Sequence, residues 1–206
     1  MFALSKGLIT QMVKKEEFYV TILGLDDAGK TTFLERVKSI FNDSIMPQPS
    51  KITPTVGMNI GKIDHRRIRL IFWDVGGQAE LQTLWDKYIS ECHAIIFIVD
   101  ASNEERILES QEAFRKIVAF DRVSQLPLLI LFNKCDHKEK PMIKENGKEC
   151  TTNLEIFRQQ LAETRSEDDN YGELAIMSIS AIDNLNVEKS IKWLGEAINR
   201  RYISEA

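Results

Sequence analysis

Short apolar runs alternate along this chain with longer stretches in which apolar residues recur every three or four positions. The runs are typical of strands buried on both faces, and they occupy residues 19–23, 94–99, 126–132 and 174–179. The longer spacing predicts helices over residues 32–41, 81–88, 104–120, 154–162 and 187–198. Two extended segments, 58–63 and 68–73, flank a short polar turn and predict a β-hairpin.

This alternation of strands and helices predicts one α/β domain over residues 17–204. We expect a doubly wound, mostly parallel six-stranded sheet with helices on both faces and a ligand at the carboxyl ends of the strands. In the helix over 104–120, the residues expected to face the core are Ile107, Leu108, Phe114, Ile117 and Val118. The polar segments 137–153 and 165–170 are predicted to be surface loops.

Residues 1–16 carry an apolar stripe that predicts an amphipathic helix ahead of this domain. Such a helix can pack on the core or lie in a membrane interface, and the pattern leaves both possibilities open. Phe2 stands where N-myristoylation requires glycine, and residues 203–206 hold no cysteine for prenylation. We therefore expect membrane attachment to need a protein receptor or an N-terminal modification.

Composition narrows the possible functions. The formal net charge of -4, with no dominant basic stripe, argues against nucleic-acid binding. The three cysteines, Cys92, Cys135 and Cys150, lack C-x-x-C spacing and indicate neither a disulfide framework nor a zinc site. No apolar run of about 18 residues is present, and the charged N-terminal stretch does not fit a signal peptide. We expect the chain to act on the cytosolic side of a membrane.

The run Gly24-Leu25-Asp26-Asp27-Ala28-Gly29-Lys30-Thr31 fits the phosphate-binding pattern G-x-x-x-x-G-K-[ST] and lies between a predicted strand and a predicted helix. Its glycines let successive backbone N–H groups turn inward, and the helix adds the positive end of its dipole. Lys30 is predicted to reach the β- and γ-phosphates and to assist catalysis, and the Thr31 hydroxyl is predicted to bind Mg²⁺. The further nucleotide contacts predicted here are Gly24, Asp26, Asp27, Ala28, Gly29 and Thr32.

The run Asn133-Lys134-Cys135-Asp136 follows a buried strand and favours guanine over adenine. A carboxylate at Asp136 can accept hydrogen bonds from guanine N1–H and the 2-amino group, whereas adenine offers no such pair of donors. Asn133 and Lys134 are expected to brace the loop and cover the purine. After the last strand, Ser180-Ala181 could supply a backbone N–H to the guanine carbonyl.

Five residues are predicted to serve the γ-phosphate end. Thr55 is a candidate second Mg²⁺ ligand on a mobile loop, and Asp74 could hold the metal through water. Gly76 and Gly77 would let the backbone approach the γ-phosphate, and Gln78 would orient the attacking water. Residues 42–55 contain no arginine, and a missing catalytic arginine is worth roughly 10³ to 10⁵ in rate. We therefore expect very slow intrinsic hydrolysis.

At these residues the chain resembles the Arf and Arf-like small GTPases. The likeness rests on the phosphate loop, on Pro54-Thr55-Val56-Gly57, on Trp73-Asp74-Val75-Gly76-Gly77-Gln78 and on Asn133-Lys134-x-Asp136. Further segments look most like the Arf-related protein subfamily, namely residues 50–53, 84–88, 91–93 and the Met1-Phe2 start.

The resemblance implies a switch that exchanges GDP for GTP with an exchange factor and hydrolyses GTP with an activating protein that supplies an arginine. It implies an effector surface at Met58, Trp73 and Tyr88. It also implies that GTP moves the hairpin and expels the N-terminal helix to the membrane. For Arf-related members it implies a receptor at the trans-Golgi and a role in vesicle trafficking.

Three alternatives remain at this point. A pseudo-GTPase scaffold would hold nucleotide without turnover, an ATPase would bind ATP as tightly as GTP, and an Arf-like GTPase could act on another membrane. The intact Lys30, Thr31, Thr55 and Gln78 favour the hydrolase.

Overall fold

The computed structural model describes residues 15–137, 157, 159 and 172–203. Its six strands form one sheet in the order β2-β3-β1-β4-β5-β6. The strands are β1 (Glu16–Leu23), β2 (Met58–His65), β3 (Ile68–Val75), β4 (Ala94–Asp100), β5 (Leu128–Asn133) and β6 (Leu174–Ser178). All neighbours pair in parallel except β2 and β3, which form the antiparallel hairpin.

Helices cover both faces of this sheet. They are α1 (Lys30–Phe41), α2 (Ala79–Gln82), α3 (Trp85–Glu91), α4 (Glu104–Val118), α5 (Asp121–Gln125) and α6 (Val187–Tyr202). The buried faces of α1 and α6 pack in one hydrophobic cluster, and those of α3, α4 and α5 pack in a second. This arrangement confirms the doubly wound α/β fold.

Strand β4 shows why the sheet holds two cores. All seven of its residues are buried, and successive side chains point to opposite faces of the sheet. Ile96 and Ile98 accordingly enter the cluster with α1 and α6, whereas Ile95 and Phe97 enter the cluster with α3 and α4. A strand buried on both faces has no solvent-exposed positions for polar side chains, which explains its continuous apolar run.

The structure corrects several details of the sequence-based prediction. Leu108 does not face the core, because it is 58% exposed and lies about 100° around α4 from the buried Ile107. The predicted helix over 81–88 is two short helices, and α5 was not predicted. Both hairpin strands continue two residues further than predicted, to His65 and Val75.

Other predictions fall on parts of the chain that the structure does not describe. The N-terminal amphipathic helix over 1–16 and the loop over 137–153 lie almost wholly outside the described residues. Of the predicted helix over 154–162, only Phe157 and Gln159 are described, and both are helical. Among the described helices, none combines the length and the apolar character needed to cross a bilayer.

Helix α4 offers a matched test of the inward face. Phe114→Ala should lower the free energy of unfolding by about 3–5 kcal/mol, because the ring is fully buried and its removal leaves a cavity. Leu108→Ala should change it by less than about 0.5 kcal/mol, because Leu108 is mostly exposed. Urea denaturation at one fixed excess of GDP compares the two; equal losses would contradict the orientation of α4.

Candidate functional site

The loop that joins β1 to α1 is shaped by two glycines. Gly24 and Gly29 have φ angles of +139° and +88°, a region that favours glycine. A Cβ on Gly24 would lie 2.2 Å from the carbonyl oxygen of Ile98, and one on Gly29 would lie 2.3 Å from Nδ2 of Asn133. The loop is therefore pressed against neighbouring strand ends on two sides, and side chains would force it outward.

Lys30 begins α1 and turns its ammonium group back under this loop. Its Nζ donates hydrogen bonds to the carbonyl oxygens of Gly24 and Leu25 at 2.9 and 2.7 Å. The side chain is only 6% exposed, and burial lowers the pKa of Lys30 to about 8 although the nearby Asp74 carboxylate opposes the change. This ammonium is poorly solvated, and an incoming anion would stabilise its charged form.

Thr31, Thr55 and Asp74 converge beside Lys30. The two threonine hydroxyl oxygens are 2.8 Å apart, and the Thr31 hydroxyl donates to Asp74 Oδ2 at 2.7 Å. Thr55 Oγ1 lies 3.4 Å from the same oxygen. Burial raises the pKa of Asp74, opposed by the hydrogen bond from Thr31. Within the described residues, Asp74 Oδ1 is buried with no hydrogen-bond partner.

This geometry fits an octahedral Mg²⁺. Two neighbouring ligands at about 2.0–2.1 Å from Mg²⁺ stand about 2.9 Å apart, close to the 2.8 Å between the hydroxyls of Thr31 and Thr55. Asp74 lies behind them, where its carboxylate can accept hydrogen bonds from a metal-bound water. No group of three His, Cys, Asp or Glu residues in the described ranges could hold a metal ion. Mg²⁺ here would draw its other ligands from phosphate and water oxygens.

Gly76, Gly77 and Gln78 follow β3 and close the site from another side. The Gly76 N–H donates to the carbonyl oxygen of Gly57 at 2.9 Å, and its own carbonyl accepts from Trp85 Nε1 at 3.1 Å. A Cβ on Gly77 would lie 2.3 Å from the backbone nitrogen of Asp26, so this backbone touches the phosphate loop. Gln78 is exposed, immediately before α2.

The loops after β5 and β6 are joined through one buried side chain. Asn133 Nδ2 donates to the carbonyl oxygen of Ala28 at 2.9 Å, and Asn133 Oδ1 accepts from the Ala181 N–H at 3.1 Å. The predicted bracing role of Asn133 matches this arrangement. The Ala181 N–H, predicted to reach a guanine carbonyl, is thus already engaged, and a base would have to share it.

Lys134 connects the same region to the end of β4. Its Nζ lies 2.9 Å from Asp100 Oδ2 and 3.2 Å from Asp27 Oδ2. Burial disfavours both charges, yet hydrogen bonds from Ser102 and Lys134 hold the pKa of Asp100 below its usual value. Burial disfavours the charged form of Lys134, but its ion pair with Asp100 raises the pKa of Lys134 above its usual value. Lys134 therefore stays charged beside the loop.

These segments enclose one cavity of about 440 Å³. The predicted site residues that line it are Asp26, Asp27, Gly29, Lys30, Thr31, Thr32, Thr55, Gly77, Gln78, Asn133, Lys134, Asp136 and Ala181. Gly24, Ala28 and Asp74 do not line the cavity but accept hydrogen bonds from lining side chains. Ser180 does not line it either, and its hydroxyl accepts from the Asp183 N–H. The fold thus brings together residues from five separate stretches of sequence.

Sequence reasoning missed several residues of this region. Pro49, Ile52, Thr53 and Ile182 line the cavity, and Arg106 binds the loop from outside it. The four cavity-lining residues lie between the strands and α-helices, and their spacing in the sequence matches no pattern that marks a binding site. For Arg106, the only sequence signal was the pair of acidic residues in the phosphate loop, which a positive side chain could join in an ion pair.

Comparison with known proteins identifies the family of this chain. The ADP-ribosylation factor family, described as Arf, matches residues 4–198. This chain belongs to that family. It is an Arf-like small GTPase and therefore a GTP-binding switch and a GTP hydrolase.

Curated relatives support the same assignment across nearly the full chain. ADP-ribosylation factor-related protein 1 of Rattus norvegicus is 41% identical over 204 residues, which cover 97% of this chain and 94% of the relative. ADP-ribosylation factor-like protein 3 of Saccharomyces cerevisiae is 39% identical over 196 residues, 94% of this chain and 92% of the relative. These findings confirm the predicted resemblance to the Arf-related proteins.

A solved structure confirms the fold. The Arl6 BBS3 small GTPase of Trypanosoma brucei, solved with the bound nucleotide analogue GppNp, matches with a TM-score of 0.67. The match covers 90% of this chain and 99% of that chain at 23% identity. The architecture is therefore shared although most side chains differ.

The pKa of Lys30 leads to a pH test of this cavity. Phosphate contact should raise that pKa from about 8, so nucleotide binding above pH 8 should take up a proton at Lys30. Affinity should then fall up to about tenfold per pH unit between pH 8 and 9, with no contribution from Lys30 below its free pKa.

Calorimetry in two buffers of different ionisation enthalpy measures this proton uptake. Lys30→Arg is the control, because its guanidinium stays charged and should remove the lysine contribution. Equal proton uptake by the original protein and this variant would contradict the assignment to Lys30.

Proposed function

We propose that this cavity binds GTP and GDP with Mg²⁺ and that the bound phosphate sets the state of a membrane-trafficking switch. The carrying observation is the convergence of Thr31, Thr55 and Asp74 within 2.7–3.4 Å of one another beside the buried Lys30. Hydroxyl ligands and a buried carboxylate suit a hard cation, and a buried ammonium suits a phosphate. Mg²⁺ bound here would neutralise charge on the phosphates.

The phosphates would lie along the loop from Gly24 to Thr31. Its backbone N–H groups at Asp26, Asp27 and Gly29 and the start of α1 would offer donors to the anion. The Ala28 N–H would have to share its 3.4 Å hydrogen bond to the Leu25 carbonyl oxygen. Lys30 would contact the β- and γ-phosphates, and Thr32 would extend the contacts at the start of the helix. The buried ammonium gains most from this contact, because it has little solvation to lose.

The base would lie at the other end, beside Lys134 and Asp136. Both residues line the cavity, and Asp136 is exposed where a guanine N1–H and amino group could reach it. Adenine would leave that carboxylate without matching donors, which is the physical basis of the proposed guanine preference. The Asn133 bridge fixes the distance between this end and the phosphate loop.

Hydrolysis would depend on help from an activating protein. Gln78 lines the cavity close to Gly77 and would orient the attacking water. Residues 42–55 hold no arginine, so an activator would supply the positive charge that stabilises the transition state. An exchange factor would reopen the site for the next GTP.

The effector surface would lie on the hairpin and α3. Trp73 stacks on Tyr19 with ring centroids 4.8 Å apart and meets Tyr88 edge to face at 5.8 Å. Met58 is 37% exposed at the start of β2, directly after the Gly57 that binds Gly76. A change at the γ-phosphate could therefore pass through one backbone hydrogen bond to this surface.

Membrane attachment would involve residues 1–16. We propose that GTP favours release of this segment toward a receptor on trans-Golgi membranes, so that the protein is cytoplasmic with GDP and peripheral on the membrane with GTP. Support comes from the apolar stripe in the sequence and from the similarity to Arf-related proteins. Coupling requires that docking of this segment on the core and binding of the γ-phosphate favour opposite states.

Gln78→Leu tests the catalytic part of the proposal. The rate of activator-stimulated GTP hydrolysis should fall at least about 100-fold in this variant. Nucleotide affinity should stay unchanged, because the lost amide positions water and not nucleotide. Single-turnover hydrolysis with an Arf-type activating protein measures it. Gln125→Leu, on the exposed side of α5, is the matched control and should hydrolyse normally. Stimulation of the Gln78 variant to the original rate would favour a different water-positioning residue.

Flotation with Golgi membranes tests the membrane part. Protein loaded with a non-hydrolysable GTP analogue should float to a larger extent than GDP-loaded protein, because the γ-phosphate favours the released state. Replacing Leu8 and Ile9 by serine should reduce flotation in the GTP form without changing nucleotide affinity. Equal flotation of both nucleotide forms would refute the coupling.

A further inference from the structure

The phosphate loop of this chain presents an electrostatic difficulty. Asp26 and Asp27 both line the cavity, and each carries a carboxylate next to the position proposed for a highly charged anion. Negative charges next to a bound anion weaken its binding unless positive groups neutralise them locally. The two carboxylates are paired from outside the loop, but they are paired unequally.

Asp27 has the weaker pairing. Its contact with Lys134 is a single 3.2 Å ion pair, and the Asp27 side chain is 89% exposed. Lys134 also binds the more buried Asp100 at the shorter distance of 2.9 Å. An exposed carboxylate that shares its cation is screened mainly by solvent.

Asp26 is held more tightly by Arg106. Nη2 of Arg106 donates to the Asp26 carboxylate at 2.7 Å and to the Asp26 carbonyl oxygen at 2.6 Å. One nitrogen thus binds both the side chain and the backbone of the same loop residue. The hydrogen bond from Arg106 is the main cause that holds the pKa of Asp26 below its usual value. Asp26 therefore remains ionised beside Arg106, and solvent also screens this charge because the side chain is 55% exposed.

Arg106 is itself held in place. It lies in the first turn of α4, whose first residues are capped by the Asn103 side chain accepting from the Glu105 N–H at 2.9 Å. Its other terminal nitrogen, Nη1, binds Glu109 Oε2 one turn along the helix at 2.5 Å. Arg106 does not line the cavity. Its hydrogen bonds to the phosphate loop both go to Asp26, and its charge also reaches Lys30 through space.

We propose that Arg106 is a positioning residue for the nucleotide: it neutralises Asp26, fixes that residue on the α4 side of the loop, and so favours GTP relative to GDP. This inference rests on the proposed nucleotide site. GTP carries one more negative charge than GDP, and removal of the guanidinium should therefore harm GTP binding more. One added elementary charge several ångströms from a solvated carboxylate changes a binding constant by about threefold.

The test measures dissociation constants of GTP and GDP, with Mg²⁺, for Arg106→Gln. We expect affinity for GDP to fall about threefold and affinity for GTP about tenfold. The GTP loss should shrink at high salt, because the unpaired carboxylate is then screened. Arg115→Gln, an exposed arginine on the same helix, is the matched control and should leave both affinities unchanged.

A double-variant cycle separates charge compensation from a purely structural role. In an Asp26→Asn background no carboxylate remains to be neutralised, so adding Arg106→Gln should no longer change the ratio of GTP to GDP affinity. Arg106→Lys, which keeps the charge without the planar fork, should restore most of that ratio. Equal losses for both nucleotides, or an undiminished loss in the Asn background, would overturn the proposal.

The same measurements keep this inference separate from the proposed function. If the unaltered protein fails to bind guanine nucleotides, the site proposal fails. If the unaltered protein binds both nucleotides and Arg106→Gln matches it, only the role of Arg106 fails.

Discussion

A single buried amide holds the candidate site together. Asn133 uses its nitrogen for the phosphate loop and its oxygen for the loop after β6, and it also covers Gly29. Three segments that are far apart in sequence are thereby fixed at the same edge of the sheet. An aspartate would lose the donor and a leucine would lose both bonds, and either change would leave buried backbone groups without partners. The proposed separation between base and phosphates depends on this side chain.

Charge burial gives the site its second constraint. Lys30, Asp74 and Asp100 are all buried, and buried ionisable groups are costly unless they are paired. Asp100 has Lys134 and Ser102, but Lys30 is held by two carbonyl oxygens and Asp74 keeps one oxygen without a partner among the described residues. Such incomplete pairing is typical of sites where a charged ligand completes the network. The positions of these groups support the proposal of a ligand that brings both anionic oxygens and a cation.

The strands and the phosphate loop could be predicted because their signals are local. The continuous apolar run of β4 follows from burial on both faces, and the glycine and lysine spacing follows from the backbone that an anion needs. The exposure of Leu108 was mispredicted because an apolar residue at the edge of the buried face of a helix can be either buried or exposed. Arg106 was missed because its partner lies 80 residues away in sequence and no motif links them. Long-range pairs of this kind depend on the assembled fold.

The aromatic residues around the hairpin have an optical consequence. Of the three tryptophans, Trp73 stacks on Tyr19 in the sheet, and Trp85 donates its indole hydrogen to the carbonyl oxygen of Gly76. Both indoles thus sit on the segments that the γ-phosphate would displace, and one is bonded directly to the loop that carries Gln78. A movement of these segments would change the polarity around each ring. If nucleotide moves these segments as proposed, the emission of both indoles should change on nucleotide exchange and report it without an attached dye.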